Sequence, residues 1–144
     1  MGPTDKFRIQ DNCQNINWNL ISDYLKIVGM GYHEPELHRK AFENSHTVMF
    51  VFHEEMLIGF GRAISDDAYQ AAVYDIVVLP EYQKEGVGRL IMSEIIKRVS
   101  HCNIILYSNP GKEEFYKKLG FSMLKTGMGL FLNPDAMKTK GMIG

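Results

Sequence analysis

A glycine-containing turn between an apolar strand and an amphipathic segment carries the residues with the clearest chemical potential. Residues 73–79 are mostly apolar and β-branched, as in a buried strand, and residues 89–99 have apolar side chains at helical spacing. Gly86 and Gly88 therefore lie where a strand gives way to a helix start. The first turn of a helix has N–H groups without internal partners, and its dipole favours an anion by about 0.3–1 kcal/mol. The turn, with Lys84 beside it, predicts a phosphate or pyrophosphate site.

The spacing of this turn separates it from two common phosphate-binding loops. A P-loop requires Gly-x-x-x-x-Gly-Lys-Ser/Thr, and the residues at 86–89, Gly-Val-Gly-Arg, lack both that spacing and the Lys-Ser/Thr pair. A dinucleotide fingerprint requires a further glycine or alanine where this chain has Ile91. Residues 83–88, Gln-Lys-Glu-Gly-Val-Gly, fit the pattern Gln/Arg-x-x-Gly-x-Gly/Ala instead. This run resembles the acetyl-CoA-binding motif of the GCN5-related N-acetyltransferase (GNAT) superfamily.

A second motif strengthens the resemblance. Residues 109–121, Asn-Pro-Gly-Lys-Glu-Glu-Phe-Tyr-Lys-Lys-Leu-Gly-Phe, are similar to the closing motif of that superfamily, in which an Asn precedes an aromatic–Tyr pair and a Gly-Phe. With the order of strands and helices, the resemblance covers essentially the whole chain. It implies an α+β fold, the GNAT fold, with a mixed and mostly antiparallel sheet of six or seven strands flanked by about four helices. Residues 1–144 would form a single domain.

The resemblance implies acetyl-CoA as the acetyl donor and no metal. In this family the strand next to the central one splays away, so backbone groups at residues 76–78 are free to bind the pantetheine amides. The glycine turn is expected to wrap the pyrophosphate, mainly through main-chain N–H groups. Lysines on the second motif are further candidates for the 3′-phosphate, although exposed helical lysines are usually only solvated. The expected cofactor-binding residues are Ile76, Val77, Val78, Gln83, Lys84, Glu85, Gly86, Val87, Gly88, Arg89, Asn109 and Tyr116, with Lys112 and Lys117 as the lysines.

Acetyl transfer from a thioester to an amine needs a base for the amine and benefits from an acid at the leaving thiolate. By resemblance, Tyr116 stands next to the CoA sulfur, and it is protonated at neutral pH because the reference pKa of tyrosine is about 10. It is therefore the candidate acid, the alternative being a packed core aromatic. Asp75 is the candidate general base, because an acid inside an apolar strand is costly unless it is hydrogen-bonded or faces a site. An Asp75 that only caps a sheet bulge is the structural alternative.

The expected acceptor is a primary amine of a small molecule: an aralkylamine, a polyamine, an amino acid or an aminosugar. The run Tyr74-Asp75-Ile76-Val77-Val78 is similar to a stretch of the sugar-phosphate acetyltransferases, but Tyr74 replaces their first acid and offers a contact to the acceptor instead. The run from residues 61–66 through the glycine turn resembles the aralkylamine-type branch, including plant-like serotonin acetyltransferases. Acceptor-binding candidates are Tyr74, His33, Glu34 and Tyr69, with Asp66 and Asp67 as acids that would suit a diamine.

Hydrophobic spacing predicts the elements that position these residues. A first strand at 7–9 precedes a helix at 18–28, and the loop 29–35 leads into a second helix through residue 42. By resemblance that loop borders the acceptor pocket. A hairpin follows at 46–52 and 56–64; beyond the central strand and its helix come a strand at 103–107 and a helix at 112–119. Strands at 121–124 and 128–132 are expected to close the sheet, and the polar tail from about 134 to fray. Four histidines are expected to be ordinary surface or strand residues: His38, His46, His53 and His101.

Composition excludes several classes of function. The chain has 144 residues, a net charge of −1 and 45% hydrophobic residues, which indicates one globular domain without a nucleic-acid footprint. Its apolar runs are far shorter than the roughly 20 residues of a membrane span. Two cysteines make no disulfide framework, and no Cys/His group has zinc-like spacing. We expect a cytoplasmic protein without nucleic-acid or membrane partners; many relatives are dimers, so a homodimer is compatible with the sequence.

Three other functions are compatible with the same motifs. The acceptor can be a protein or peptide amino group, although no peptide groove is marked in the sequence. A non-catalytic module that binds acyl-CoA as a sensor would use the same turn, but the intact Tyr116 speaks against it. A nucleotide-binding regulatory domain is the third, and ATP or NAD rather than CoA would then raise the melting temperature.

Overall fold

The computed structural model describes residues 5–144, which form two compact units, one ending at Leu106 and the other spanning Tyr107–Gly144. The first unit holds the sheet and the longer helices, and the second holds two short helices. A 3-10 turn, Pro80–Tyr82, follows the fourth strand. The elements are β1 (Phe7–Gln10), α1 (Trp18–Ile27), α2 (Pro35–Glu43), β2 (Thr47–His53), β3 (Met56–Ser65), β4 (Gln70–Val78), α3 (Val87–Arg98), β5 (Asn103–Ile105), α4 (Glu113–Lys118) and α5 (Pro134–Thr139).

The five strands of the first unit form one sheet in the order β1-β2-β3-β4-β5. The first three pairings are antiparallel, and β4 pairs with β5 in parallel. The parallel pair needs a crossover, and α3 provides it. The prediction of an α+β fold with a mixed, mostly antiparallel sheet is therefore confirmed. Among the described residues, no helix has the length and apolar character needed to cross a membrane.

Aromatic side chains join α1 and α2 to one face of the sheet. Phe50 and Phe60, both fully buried, point to this face from β2 and β3. The ring of Phe42 on α2 lies 5.6 Å from Phe50 and 5.9 Å from Phe60. The hydroxyl of Tyr24 on α1 donates a 2.9 Å hydrogen bond to the carbonyl of Leu57, so its one polar atom is satisfied inside the core. These contacts hold α1 and α2 against β2 and β3.

Two glycines of β3 admit α3 on the opposite face. A Cβ atom on Gly59 would lie 2.8 Å from the carbonyl oxygen of Val77 and 3.2 Å from Cδ1 of Ile91 on α3. A Cβ atom on Gly61 would meet the side chain of Ile76. Because glycine has no side chain at these positions, α3 and the middle of β4 both approach β3 closely.

We expect Gly59→Ala to lower the free energy of unfolding by about 1–3 kcal/mol, the usual cost of overpacking a core. The added methyl group would press on a backbone oxygen, which cannot rotate away as a flexible side chain can. Urea denaturation of the two proteins measures the difference. Gly144→Ala is the control, since a Cβ atom there meets nothing within 4 Å. Equal stability of the Gly59→Ala protein and the wild type would contradict the close approach.

The second unit explains the spacing of the Tyr-x-x-x-Gly-Phe motif. Helix α4 ends in a Schellman motif: the N–H of Gly120 donates to the carbonyl of Lys117, and the N–H of Phe121 donates to the carbonyl of Tyr116. Gly120 has φ +100°, a conformation that favours glycine. The ring of Phe121 packs edge-on against Tyr116, with 5.9 Å between centroids. The Gly-Phe pair therefore ends the helix and supports one side of the tyrosine ring.

Three predictions about the fold are wrong in part. Residues 121–124 and 128–132 form no strand, so the sheet of the described residues has five strands rather than six or seven. The tail does not lack structure, because Asn133 caps α5 by accepting a hydrogen bond from Ala136 N–H at 3.1 Å. His38 is not a surface residue but lies on the buried face of α2, with 4% exposure. Apolar alternation alone therefore predicted two strands that the described residues do not form.

Candidate functional site

The glycine turn has the backbone geometry expected of an anion site. Gly86 is the N-cap of α3, with φ +85° and no hydrogen bond from a side chain to the helix start. Lys84 also has a positive φ, +71°, so the chain bends twice before the helix. The Gln83 side chain donates to the carbonyl of Val78 at 3.2 Å and ties the turn to the end of β4. Lys6 forms an ion pair with Glu85 at 2.9 Å. Lys84 and Arg89 are both exposed beside the helix start.

The middle of β4 has a sheet partner on one side only within the first unit. β4 pairs with β5 from Gln70 to Ala72, and the pairing ends there. On its other side, β4 remains paired with β3 as far as Val78. The backbone of residues 76–78, immediately before the glycine turn, is therefore not paired with β5 in the first unit. This is where the predicted pantetheine-binding residues 76–78 lie.

A bulge in β4 positions Asp75. The register between β3 and β4 shifts between Phe60 and Arg62, and Asp75 has φ +58°, which an Asp adopts more readily than most residues. Arg62 Nε donates to Asp75 Oδ2 at 2.7 Å, with side-chain exposures of 17% and 22%. The guanidinium also donates to Ser45 Oγ at 3.3 Å and lies 5.3 Å from the Tyr74 ring centroid. The arrangement holds the carboxylate in a fixed position, which suits a base and a structural bulge cap alike.

His38 and Arg62 are the residues of this region that sequence reasoning missed. Nε2 of His38 accepts a 2.8 Å hydrogen bond from His33 N–H, so this neutral histidine fixes the loop between α1 and α2. Burial is the main cause that lowers the pKa of His38 below its usual 6.5; Asp75 opposes the shift, and His33 and Arg62 add to it. Arg62 lies in the run 61–66, and the resemblance of that run to one branch of the family assigned no role to this residue.

We expect acid to destabilise the protein through His38. Because its pKa is lower in the folded state, the unfolded chain binds the proton more readily, and stability falls as the pH drops below about 6.5 toward the folded pKa. When denaturation curves are measured from neutral pH down to about pH 5, the His38→Gln protein should therefore lose less free energy of unfolding than the wild type. Parallel pH dependence in both proteins would contradict a neutral His38.

The second unit presents Tyr116 in a hydrophobic setting. Its ring lies 5.0 Å from Phe115 and 5.9 Å from Phe121, both edge-on. Burial raises the pKa of the Tyr116 hydroxyl above its usual 10, so the hydroxyl is a proton donor throughout the neutral range. Asn109 is exposed, and its carbonyl accepts from Lys112 N–H at 3.0 Å at the turn before α4. Glu113 accepts from Gly111 N–H at 2.7 Å and braces the same turn.

The predicted acceptor residues do not form one cluster. Tyr74 lies beside Arg62 in the middle of β4, whereas Tyr69 is 65% exposed before the first residue of that strand, at the end opposite the glycine turn. Glu34 begins α2, and the carbonyl of the exposed His33 accepts from Ser22 Oγ at 2.6 Å.

The carboxylates of Asp66 and Asp67, the two acids of the loop after β3, are hydrogen-bonded to groups close to them. Asp66 Oδ1 accepts from the N–H groups of Ala68, Tyr69 and Gln70, which lower its pKa. Asp67 bonds to His101 and His46, and these hydrogen bonds lower its pKa, that from His101 first. No group of three His, Cys, Asp or Glu side chains suited to a metal ion is found between residues 5 and 144.

Comparisons with known proteins identify the family of this chain. Residues 25–127 match the family model described as acetyltransferase (GNAT) domain. An uncharacterized N-acetyltransferase of Gracilaria tenuistipitata is 36% identical over 102 residues, which are 65% of this chain and 56% of that protein. A serotonin N-acetyltransferase of Oryza sativa is 30% identical over 141 residues, 92% of this chain and 65% of that protein. A histone acetyltransferase of Glycine max is 29% identical over 142 residues, 93% of this chain and 59% of that protein.

A solved structure has the same fold. A probable acetyltransferase of Staphylococcus aureus superposes with a TM-score of 0.77 at 23% identity, over 87% of this chain and 98% of that one. The present chain covers 56% to 65% of the lengths of the three relatives named above. Within that length it has the glycine turn, the open strand and the tyrosine motif, and the family model matches most of it. The chain belongs to the GNAT family of acetyltransferases.

Proposed function

We propose that this protein transfers an acetyl group from acetyl-CoA to the primary amine of a small molecule, by direct attack when both are bound. The observation that carries the proposal is that the uncapped start of α3 directly follows the open backbone of residues 76–78 in the chain. The N–H groups at 87–89 would bind the pyrophosphate, because a helix start favours negative charge. The strand backbone would pair with the pantetheine amides as a further strand would.

The chemical roles follow from the state of each group. Tyr116 would protonate the leaving thiolate, since its pKa above 10 keeps the proton available. Asp75 would take the proton of the amine, directly or through water, with Arg62 orienting its carboxylate. The amine nitrogen forms the new bond to the acetyl carbon as the carbon–sulfur bond breaks, giving an amide and CoA. Asn109 would bond the pantetheine arm.

We expect Gly86→Ala to raise the KM for acetyl-CoA about tenfold, because a left-handed residue with a Cβ atom costs roughly 1–2 kcal/mol. Steady-state thiol release at varied acetyl-CoA measures it. Gly141→Ala is the matched control, since Gly141 also has a positive φ, +76°, but ends α5 in the second unit. Equal KM values for the two variants would contradict a role of the turn in acetyl-CoA binding.

A panel of amines tests the acceptor class. It contains aralkylamines, polyamines, amino acids, aminosugar phosphates and short peptides, including histone-tail peptides. Release of CoA thiol and the mass of the acetylated product are measured for each. We expect turnover on a small amine, in keeping with the named activity of the rice relative and the resemblance of residues 61–66. Acetylation of peptides alone would favour a protein acceptor, as the name of the soybean relative suggests. An acetyl-CoA-induced rise in melting temperature without turnover on any acceptor would favour a sensor module.

A further inference from the structure

A ring cluster of Phe7, His53 and Tyr82 joins the first two strands to the segment that leads into the glycine turn. Phe7 and His53 are opposite each other in the register of β1 and β2, and Tyr82 ends the 3-10 turn. The rings contact one another edge-on, with centroids 5.7, 6.0 and 5.5 Å apart. Nδ1 of His53 and the hydroxyl of Tyr82 share a 2.7 Å hydrogen bond. The cluster therefore fixes the residue that directly precedes the glycine turn.

A second contact reaches the middle of the glycine turn from the same end of β1. Lys6, the residue before β1, places its Nζ 2.9 Å from Oε1 of Glu85. The same Nζ lies 5.2 Å from the centroid of the buried Phe7 ring. An ammonium over an aromatic face is attracted to it, so the ring and the carboxylate together limit where Lys6 can lie. The ring cluster thus supports the ion pair as well as Tyr82.

Glu85 is an unfavourable residue for a turn that binds an anion. It directly precedes Gly86, the N-cap of α3, where the helix start favours a negatively charged ligand. Two like charges about 4 Å apart in a water-like environment weaken binding by about fivefold. An uncompensated carboxylate at this position would therefore oppose the diphosphate of CoA. The ammonium of Lys6 offsets that charge because the two groups are in contact.

We propose that Lys6 is a positioning residue for acetyl-CoA, which, held by the ring cluster, neutralises the Glu85 carboxylate beside the diphosphate. This inference rests on the proposed function, in which the diphosphate lies at the glycine turn. Lys6 acts through Glu85 and does not contact the ligand. The side chains of the pair are 49% and 38% exposed, and exposed ion pairs contribute little to folding stability. The effect of Lys6 is therefore expected in the affinity for CoA rather than in the melting temperature.

Calorimetric titration of the full chain with CoA tests the proposal as a double-mutant cycle. Lys6→Ala should raise the Kd about threefold to tenfold, because one negative charge is left uncompensated beside the diphosphate. In the Glu85→Gln background, the same substitution should change the Kd by less than about twofold, since no charge remains to be neutralised. Lys6→Arg, which keeps the charge, should recover most of the affinity. In kinetics, Lys6→Ala should raise the KM for acetyl-CoA with little change in kcat.

Lys97→Ala is the matched control for the titration. Lys97 also forms an ion pair, with Glu94 at 2.8 Å, but it lies in the last turn of α3. This variant should bind CoA as the wild type does. Wild-type affinity in Lys6→Ala would overturn the proposal. An equal loss of affinity in both Glu85 backgrounds would also overturn it, because Lys6 would then act on CoA directly.

Amide exchange of the ligand-free protein tests the ring cluster independently of CoA. Tyr82→Phe removes the hydroxyl that bonds to His53 but keeps the ring. We expect faster exchange in peptides that cover residues 80–90, where the amides of Tyr82 and Gln83 are hydrogen-bonded within the 3-10 turn. Tyr32→Phe, which removes a hydroxyl from an exposed ring between α1 and α2, should not change that exchange. Unchanged exchange at 80–90 in Tyr82→Phe would overturn the role of the ring cluster.

Failure of this inference and failure of the proposed function give different results. A wild type that binds no CoA would contradict the proposed function, and with it the electrostatic role of Lys6. A wild type that binds CoA, with no coupling between Lys6 and Glu85, would contradict the inference alone. The exchange of the ligand-free variants decides in either case whether the ring cluster holds the turn.

Discussion

Tyr116→Phe is expected to slow acetyl transfer about 10²–10⁴-fold, the usual contribution of one positioned proton transfer. The substitution removes only the hydroxyl, and the phenyl ring keeps the contacts with Phe115 and Phe121. The melting temperature and its rise with acetyl-CoA should therefore stay close to those of the wild type. Thiol release at saturating acetyl-CoA and acceptor measures the loss as a fall in kcat with little change in KM.

The matched control for this variant is Tyr107→Phe, which removes a hydroxyl from another tyrosine of the second unit whose ring contacts Phe131. It should leave kcat within a few-fold of the wild type. The pH profile gives an independent readout, because an acid acts only below its pKa and burial raises that of Tyr116 above 10. No loss of activity from this group is expected as the pH rises to 10. A Tyr116→Phe protein with wild-type kcat would contradict the assignment.

Asp75→Asn is expected to lower kcat about 100-fold near neutral pH, because the amide cannot accept the proton of the amine. The structural alternative predicts something different, since Asp75 also fills a bulge and pairs with Arg62 at 2.7 Å. A bulge cap would show its loss in the melting temperature, with kcat near the wild-type value. Turnover against pH and thermal denaturation, measured on the same variant, distinguish the two roles.

Arg62→Gln is the control that separates the carboxylate from its ion pair. It breaks the same half-buried contact but leaves the Asp75 carboxylate in place, so both variants should lose about 1–3 kcal/mol of stability. If Asp75 is the base, Arg62→Gln loses less activity than Asp75→Asn, because the carboxylate that accepts the proton remains although the contact that orients it is lost. Equal losses of kcat in the two variants would favour the structural role.

The local motifs were predictable because each depends on residues close together in the chain. The turn at 83–89 was identified from glycine spacing at a strand–helix junction, and Gly86 indeed has the left-handed φ at the helix start. The Tyr-x-x-x-Gly-Phe spacing is that of a helix with a Schellman end, which a sequence specifies within six residues. The α1 cap at Asn17 was predictable for the same reason.

Contacts between distant segments were not predictable. The pairing of Arg62 with Asp75 depends on a one-residue bulge. The acid within an apolar strand had suggested a bulge at Asp75, but no residue pattern indicated that Arg62 of β3 would face it. The burial of His38 depends on how α2 packs on the sheet. The sequence of an amphipathic helix does not indicate that a histidine within it will be buried.

The two strands predicted for residues 121–132 fail for a related reason. Alternating apolar residues describe a segment able to form a strand, but a strand exists only where a neighbour supplies its hydrogen bonds. Within residues 5–144 none does so for Met128–Leu132, and the side chains of Met128, Leu130 and Leu132 are almost fully exposed. The apolar alternation was identified correctly, but alternation alone cannot show whether a neighbouring strand is present.

Amide hydrogen exchange of the full chain with and without acetyl-CoA tests the central claim most directly, because it reports on the backbone groups that are proposed to bind. We predict slower exchange in peptides that cover residues 76–79 and 83–90, where the end of β4 is open toward the β5 side and the start of α3 is uncapped. Peptides of β1 and β2, which are paired in the sheet, should be unchanged. Protection confined to other regions, or none at saturating acetyl-CoA, would contradict the binding of acetyl-CoA at the glycine turn.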